Sequence, residues 1–180
     1  IGNFDGVHIG HQQLLQKVTT IAKSRNIKSC VFTFEPSPRS VLSPKTKPVR
    51  IANWVDKIQW VEQLGIQNII LEPFDQGFAQ HSAEWFIDEI LVNRLQTQAL
   101  VVGYDFHFGR ARSGTIEMIR ERAPHIDIFQ ISPLKISDIQ HPKNEHILQN
   151  IPPTEIISSS FIRNLLHSGA VEQAKVLLTR

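Results

Sequence analysis

The first eleven residues, IGNFDGVHIGH, bring together two histidines three positions apart (His8, His11), an aspartate (Asp5) and three glycines (Gly2, Gly6, Gly10). Imidazoles at that spacing share one side of a helix if a helical turn begins by residue 8. Helical periodicity starts directly afterwards, so the unpaired N–H groups and positive dipole end of a first helix face this loop. Glycines let backbone approach a ligand closely or take dihedrals that other residues resist. These residue types in this order suit the oxygens of a polyphosphate, with imidazole donors meeting the charge that gathers in a transition state. A metal between His8 and His11 is another reading, although the sequence places no third ligand nearby, and ordinary turn-capping histidines are a further one. Asp5 either works through a water or holds the glycine turn. The stretch fits neither the dinucleotide fingerprint nor the P-loop.

Two further stretches carry similar chemistry. ISSS at 157–160 stands directly before the helical run FIRNLL, so the hydroxyls of Ser158, Ser159 and Ser160 converge with free N–H groups at a helix start. Arg163 follows within a turn and offers the planar fork that phosphate oxygens favour. In GYDFHFGRARSG, Gly103 breaks a strand end, Asp105 can accept a hydrogen bond, Phe106 or Phe108 can pack on an aromatic ring, and Arg110 and Arg112 can meet phosphates. A polar loop with core phenylalanines is the plainer reading of that stretch. In FEPSPRSVL, Pro36 and Pro38 stiffen a loop with Arg39 at its tip.

Positioning these groups requires alternating elements. Leu14, Leu15, Val18, Ile21 and Ala22 form the stripe of a helix over 12–25. A strand is expected at 30–34, then a proline-rich loop, then a helix capped by Asn53 that buries Val55, Ile58, Val61 and Leu64 and ends at Gly65. A strand follows at 68–74, and Ser82 caps a helix burying Phe86, Ile87, Ile90 and Leu91. Strands at 99–106 and 126–132 flank a helix near 114–122. Ile1 reads as the end of a truncated first strand. Apolar strands between helices predict an α/β chain, a Rossmann-like, doubly wound and mainly parallel sheet that binds ligands at the carboxyl ends of its strands. Residues 133–157 read as an inserted polar segment or a hairpin of LKISDI with EHILQN. The chain closes on helix broken at Ser168–Gly169.

With 180 residues, 41% of them hydrophobic, the chain has enough core for one domain, 1–180. A net charge of +2 suits anionic ligands but lacks the dense basic face of a nucleic-acid binder. Cys30, the single cysteine, excludes an internal disulfide and reads as a buried strand thiol. No apolar run is long enough to span a membrane and no signal peptide is visible, so the cytoplasm is the expected compartment.

GNFDGVHIGH resembles the signature of the class I nucleotidyltransferases, whose H-x-G-H is read here as His8-Ile9-Gly10-His11. The longer form, with Asn3-Phe4-Asp5-Gly6 ahead, is similar to the bacterial FAD synthetases, the adenylyltransferase half of bifunctional riboflavin kinase/FMN adenylyltransferases. FEPSPRSVL, VGYDFHFGRARSG and ISSSFIRNLL follow in the order of that family. The resemblance implies transfer of AMP from ATP to FMN, giving FAD and pyrophosphate, with Mg²⁺ carried by ATP and no metal site of the protein's own. It implies catalytic roles for His8, His11 and Arg163. It implies binding roles for Gly2, Asn3, Phe4, Asp5, Gly6, Gly10, Ser158, Ser159 and Ser160 near the nucleotide, and for Gly103, Asp105, Phe106, Phe108, Arg110 and Arg112 near the flavin. Ser37, His107 and Ser160 stand where the family commonly has histidine, arginine and threonine. The family usually continues into a β-barrel riboflavin kinase domain, which is absent from these residues. Two alternatives stay open: another phosphorylated acceptor such as phosphopantetheine, and a binding module without turnover. An aminoacyl-tRNA synthetase would need a K-M-S-K-S-like loop that this sequence lacks.

Overall fold

The structure is a computed structural model that describes all residues except 47 and 140–144. Among the described residues the strands are β1 (Cys30–Glu35), β2 (Asn68–Pro73), β3 (Ala99–Gly103) and β4 (Asp127–Ile131). All pair in parallel: β1 with β2, Cys30 opposite Asn68, and β3 with β4, Ala99 opposite Asp127. Where one continuous sheet was expected, the strands form two pairs. A cavity of about 690 Å³ lies between them, with Ile1, Cys30, Phe32, Leu100 and Val101 in its lining. Ile1 and Gly2 belong to no strand, and the Gly2 N–H donates to the Phe32 carbonyl at 3.1 Å.

Helices cover both faces because successive strand side chains point in opposite directions. Val31 and Val101 pack with Leu14, Leu15 and Ile21 of α1 (Ile9–Arg25) and with Val61 of α3 (Trp54–Gln63). Phe32, Leu100 and Val102 pack the other way, on Phe86, Ile87 and Ile90 and on Ile116 and Ile119 of α5 (Ile116–Arg122). The chain thus has a doubly wound, parallel, Rossmann-like α/β character. A third core joins Ile136, Leu148 and Ile151 to α7 (Ser159–His167) and α8 (Val171–Leu178).

Several elements depart from the sequence expectations. The segment after β1 contains a short helix α2 (Pro38–Leu42), which Ser37 caps and whose first position suits proline. On α3 the buried stripe runs through Lys57 and Val61, while Val55 is 63% exposed; an i, i+4 pair that includes a lysine displaced the all-apolar choice. The helix after Ser82 opens as α4 (Ala83–Trp85) and continues as a π-helix over Phe86–Arg94. LKISDI and EHILQN do not form a hairpin. Lys135 bridges Ile156 instead, and α6 (Glu145–Leu148) occupies the second half; residues 140–144 lie outside the described residues.

Two glycines separate backbone strain from crowding. Gly109 has φ +70° and a Cβ there would stand 2.7 Å from the Ala83 amide nitrogen, whereas Gly169, at φ +78°, has open space around it. Gly169→Ala therefore meets only the left-handed penalty of about 1 kcal/mol. Gly109→Ala must also move the start of α4 and costs about 3 kcal/mol. Thermal melts should show Gly109→Ala lowering Tm by about 6 °C or more and Gly169→Ala by about a third of that.

Candidate active site

The loop between Gly2 and α1 takes an improbable backbone path. Phe4 has φ +48°, Gly6 +78° and Val7 +39°, and a left-handed β-branched residue is a real cost. Only Gly6 lacks a Cβ, and one would stand 2.8 Å from Ile51 Cγ2. Distant groups hold the path by capturing its carbonyls. Lys57 Nζ donates to Asn3 O at 2.9 Å, Ser159 Oγ to Asp5 O at 3.0 Å, Arg180 Nη2 to Gly6 O, and Gln12 Nε2 to Val7 O at 2.9 Å. The carboxylate of Asp5 accepts from the amides of Ile51 and Ala52 and from Arg163 Nη2 at 2.6 Å. Of the two roles open to Asp5, the structure displays the holding one.

His8 ends the loop and caps α1. Its Nδ1 accepts the His11 amide at 3.4 Å, so its ring hydrogen sits on Nε2 when neutral. The helix begins at Ile9, three residues earlier than expected, because the histidine takes the cap. A Cβ on Gly10 would stand 3.3 Å from the His8 ring, which explains a glycine between the histidines. The rings of His8 and His11 stack at 3.6 Å, and Phe4 meets His11 edge-on at 5.2 Å. Burial, opposed by the Asp5 charge, lowers the His8 pKa to about 4. Burial, then His8 and Lys57, holds that of His11 well below the ordinary value. Both imidazoles are neutral at pH 7. Among the described residues, His11 Nδ1 is buried with no hydrogen-bond partner.

α7 brings the serines and arginine to the same place. Ser158 is the N-cap, accepting the Phe161 amide at 3.1 Å; Ser159 binds the loop as described, and Ser160 is exposed. Arg163 Nε donates to the Val49 carbonyl at 2.8 Å, so the guanidinium ties α7 to the loop and to the segment before α3. A small cavity of about 30 Å³ lies beside it, lined by Asp5, Glu35, Arg50, Trp54, Lys57 and Arg163 among others. Arg50 pairs with Glu35 at its rim.

The 103–114 stretch follows β3. Asp105 is exposed, and its carbonyl accepts from Arg112 Nη2 at 3.2 Å. Arg110 and Arg112 lie on an exposed 3₁₀ turn. Phe106 is half-buried and stacks on Phe108. Phe108 is 7% exposed, bridges Gly114 and packs on Phe86, so it belongs to the core. Lys57, Gln12 and Arg180 were missed by sequence reasoning. Only Lys57 left a signal, a lysine on the apolar stripe of a helix. Among the described residues no group of three His, Cys, Asp or Glu side chains is arranged to hold a metal, and no helix is long and apolar enough to cross a membrane.

Comparisons with known proteins identify relatives of this chain. A family profile described as FAD synthetase matches residues 1–143. A bifunctional riboflavin kinase/FMN adenylyltransferase of Buchnera aphidicola subsp. Schizaphis graminum is 35% identical over 180 residues, all of this chain and 54% of that protein. A protein of the same description from Haemophilus influenzae is 39% identical over 120 residues, 67% of this chain and 39% of that protein. The chain thus spans about half the length of the first curated relatives it matches. A solved structure described as a macrolide-efflux protein from Streptococcus pneumoniae superposes with a TM-score of 0.78 at 24% identity, over 99% of this chain and 55% of that one. That likeness concerns the fold alone.

Two outcomes are expected from this geometry. With the His8 pKa lowered from 6.5 to about 4, the unfolded chain binds the extra proton between those values. Stability is therefore full above pH 6.5 and falls as pH drops toward 4. His8→Asn keeps a capping oxygen and removes this titration, so its Tm should fall less than wild type across that range. Asp5→Ala leaves the Arg163 charge buried without its partner and should cost about 3 kcal/mol, a Tm loss of about 6–12 °C by calorimetry.

Proposed function

The chain belongs to the FAD synthetase family, and from that premise we propose that it transfers AMP from ATP to FMN, releasing pyrophosphate and forming FAD. The observation that carries this reading is the neutral His8–His11 stack at the amino end of α1, with one ring nitrogen unpartnered and the adjoining loop's carbonyls turned into the protein. That surface offers N–H donors and a positive dipole end to an anion.

In the proposed reaction an FMN phosphate oxygen attacks the α-phosphorus of ATP. The new P–O bond joins the two nucleotides, and the bond to the β-phosphate breaks with its electrons leaving on pyrophosphate. The attacking phosphate is already ionised at neutral pH, so no general base is needed. The protein's task is alignment and charge stabilisation. His8 and His11 donate to phosphate oxygens, and an incoming polyanion draws their depressed pKa values upward and strengthens those bonds. Arg163, with N–H groups beyond the two committed to Asp5 and Val49, meets the same phosphates. Mg²⁺ enters as part of the substrate, on ATP. Asp105, Phe106, Arg110 and Arg112 form the flavin side, where Phe106 is the ring available for stacking because Phe108 supports it from the core.

The relatives' description joins this activity to riboflavin kinase. Phosphorylation of riboflavin is not assigned to these residues; a riboflavin kinase domain elsewhere in the full-length protein, and a cytoplasmic location, complete the proposal.

Chromatography of a reaction with ATP, Mg²⁺ and FMN should show FAD and pyrophosphate in equal amounts, and riboflavin in place of FMN should give neither. His11→Ala should lower kcat by about tenfold to a thousandfold, the scale of an oriented transition-state donor. Pyrophosphate release with phosphopantetheine and none with FMN would discard the flavin assignment. Binding of both nucleotides without any product would discard the enzyme.

A further inference from the structure

Lys57 is a buried cation without a carboxylate of its own. It is 9% exposed, and among the described residues its ammonium reaches only neutral acceptors, Asn3 O at 2.9 Å and Thr33 Oγ1 at 3.1 Å, beneath the Trp54 ring at 4.8 Å. The other two cations lining the 30 Å³ cavity are matched: Arg50 pairs with Glu35 and Arg163 with Asp5. Three cations against two carboxylates leave one positive charge over, and it is the most deeply buried of the three. Burying an unpaired charge is costly, and the cost is recovered when an anion arrives to share the site. The cavity has room for about one or two water-sized groups, enough to admit a phosphate oxygen to Lys57. Its lining includes Asn3 and Asp5 of the strained loop, and the charge on Lys57 is felt at His11.

We propose that Lys57 is a polyphosphate-binding residue of this site, the fourth positive or donating group beside the two histidines and Arg163. The inference rests on the nucleotide-binding reading above and adds the residue that anchors the pyrophosphate portion of ATP. Burial lowers its pKa to about 8, with Asp5 and Glu35 holding it up against Arg50, so the ammonium stays charged at pH 7. A merely structural lysine would hold Asn3 and Thr33 and nothing else.

Calorimetric titration with inorganic pyrophosphate, together with steady-state kinetics and ligand-free thermal melts, separates these roles in wild type, Lys57→Gln, Lys57→Met and Lys57→Arg. Gln retains a donor toward Asn3 without the charge, and Arg retains the charge. Loss of a charged hydrogen bond should weaken pyrophosphate binding and raise KM for ATP by about tenfold or more in the Gln and Met variants. KM for FMN should stay within about twofold, and Arg should recover most of the affinity. Ligand-free Tm should change little in Gln, which keeps a donor toward Asn3, and fall in Met, which leaves the Asn3 carbonyl and Thr33 without that donor. Unchanged pyrophosphate affinity in folded Lys57→Gln overturns the proposal, as does an equal loss for ATP and FMN with a large fall in Tm. Should the uncharged variants fail to fold, Trp54 emission decides: pyrophosphate should perturb it saturably in wild type and not in Trp54→Phe, and an unresponsive Trp54 overturns the proposal. Wild type that binds pyrophosphate through Lys57 but makes no FAD refutes the adenylyl-transfer reading alone.

Discussion

Six consecutive carbonyls, from Asn3 to His8, all accept hydrogen bonds, and the rest of the site depends on that constraint. The Phe4 carbonyl accepts the Val7 amide, that of His8 accepts the Gln12 amide, and the other four take side-chain donors from α3, α7, the residues after α8, and α1. A chain carrying left-handed dihedrals at Phe4 and Val7 would relax if released, since each costs on the order of 1–3 kcal/mol. Captured from four directions, it cannot. With its carbonyls fixed into the protein, the loop leads directly into the amino end of α1, and the two imidazoles sit where dipole and loop meet.

The electrostatics follow from the same tethering. Asp5 accepts two backbone amides and the Arg163 guanidinium, so its charge is spent on structure and does not repel an incoming phosphate at full strength. His8 and His11 lose their charge to burial and wait as neutral donors. Positive charge is thus metered: paired at Arg50 and Arg163, and unpaired only at Lys57 among the cations of that cavity. Most of the charges around that cavity are therefore satisfied within the protein.

The second half of the site is set by packing. Rings run in contact from Phe34 through Phe32, Phe86 and Phe108 to Phe106, linking the carboxyl end of β1 to the turn after β3. The short antiparallel bridge of Phe108 with Gly114 closes that turn, and the Arg110 amide fastens it to the His81 carbonyl at 2.8 Å. Phe106 inherits its position from the buried Phe108, which explains why two phenylalanines of one motif have different fates.

What could be read from sequence was local. The apolar stripe of α1, the serine and asparagine caps at Ser82 and Asn53, and the glycine-interrupted end of the chain follow from side chains a few positions apart, and all are found in the structure. The histidine pair, the serine run and Arg163 were legible because they lie in short stretches where residue type and helix start coincide. Pairing of strands into two sets, the burial of Phe108, and the turn of α3 that hides Lys57 and exposes Val55 were decided by contacts between distant segments. The same holds for Arg163, whose partner Asp5 is 158 positions away. Periodicity shows which side chains share a face, but only the packed structure decides which face is covered and which charge is left without a partner.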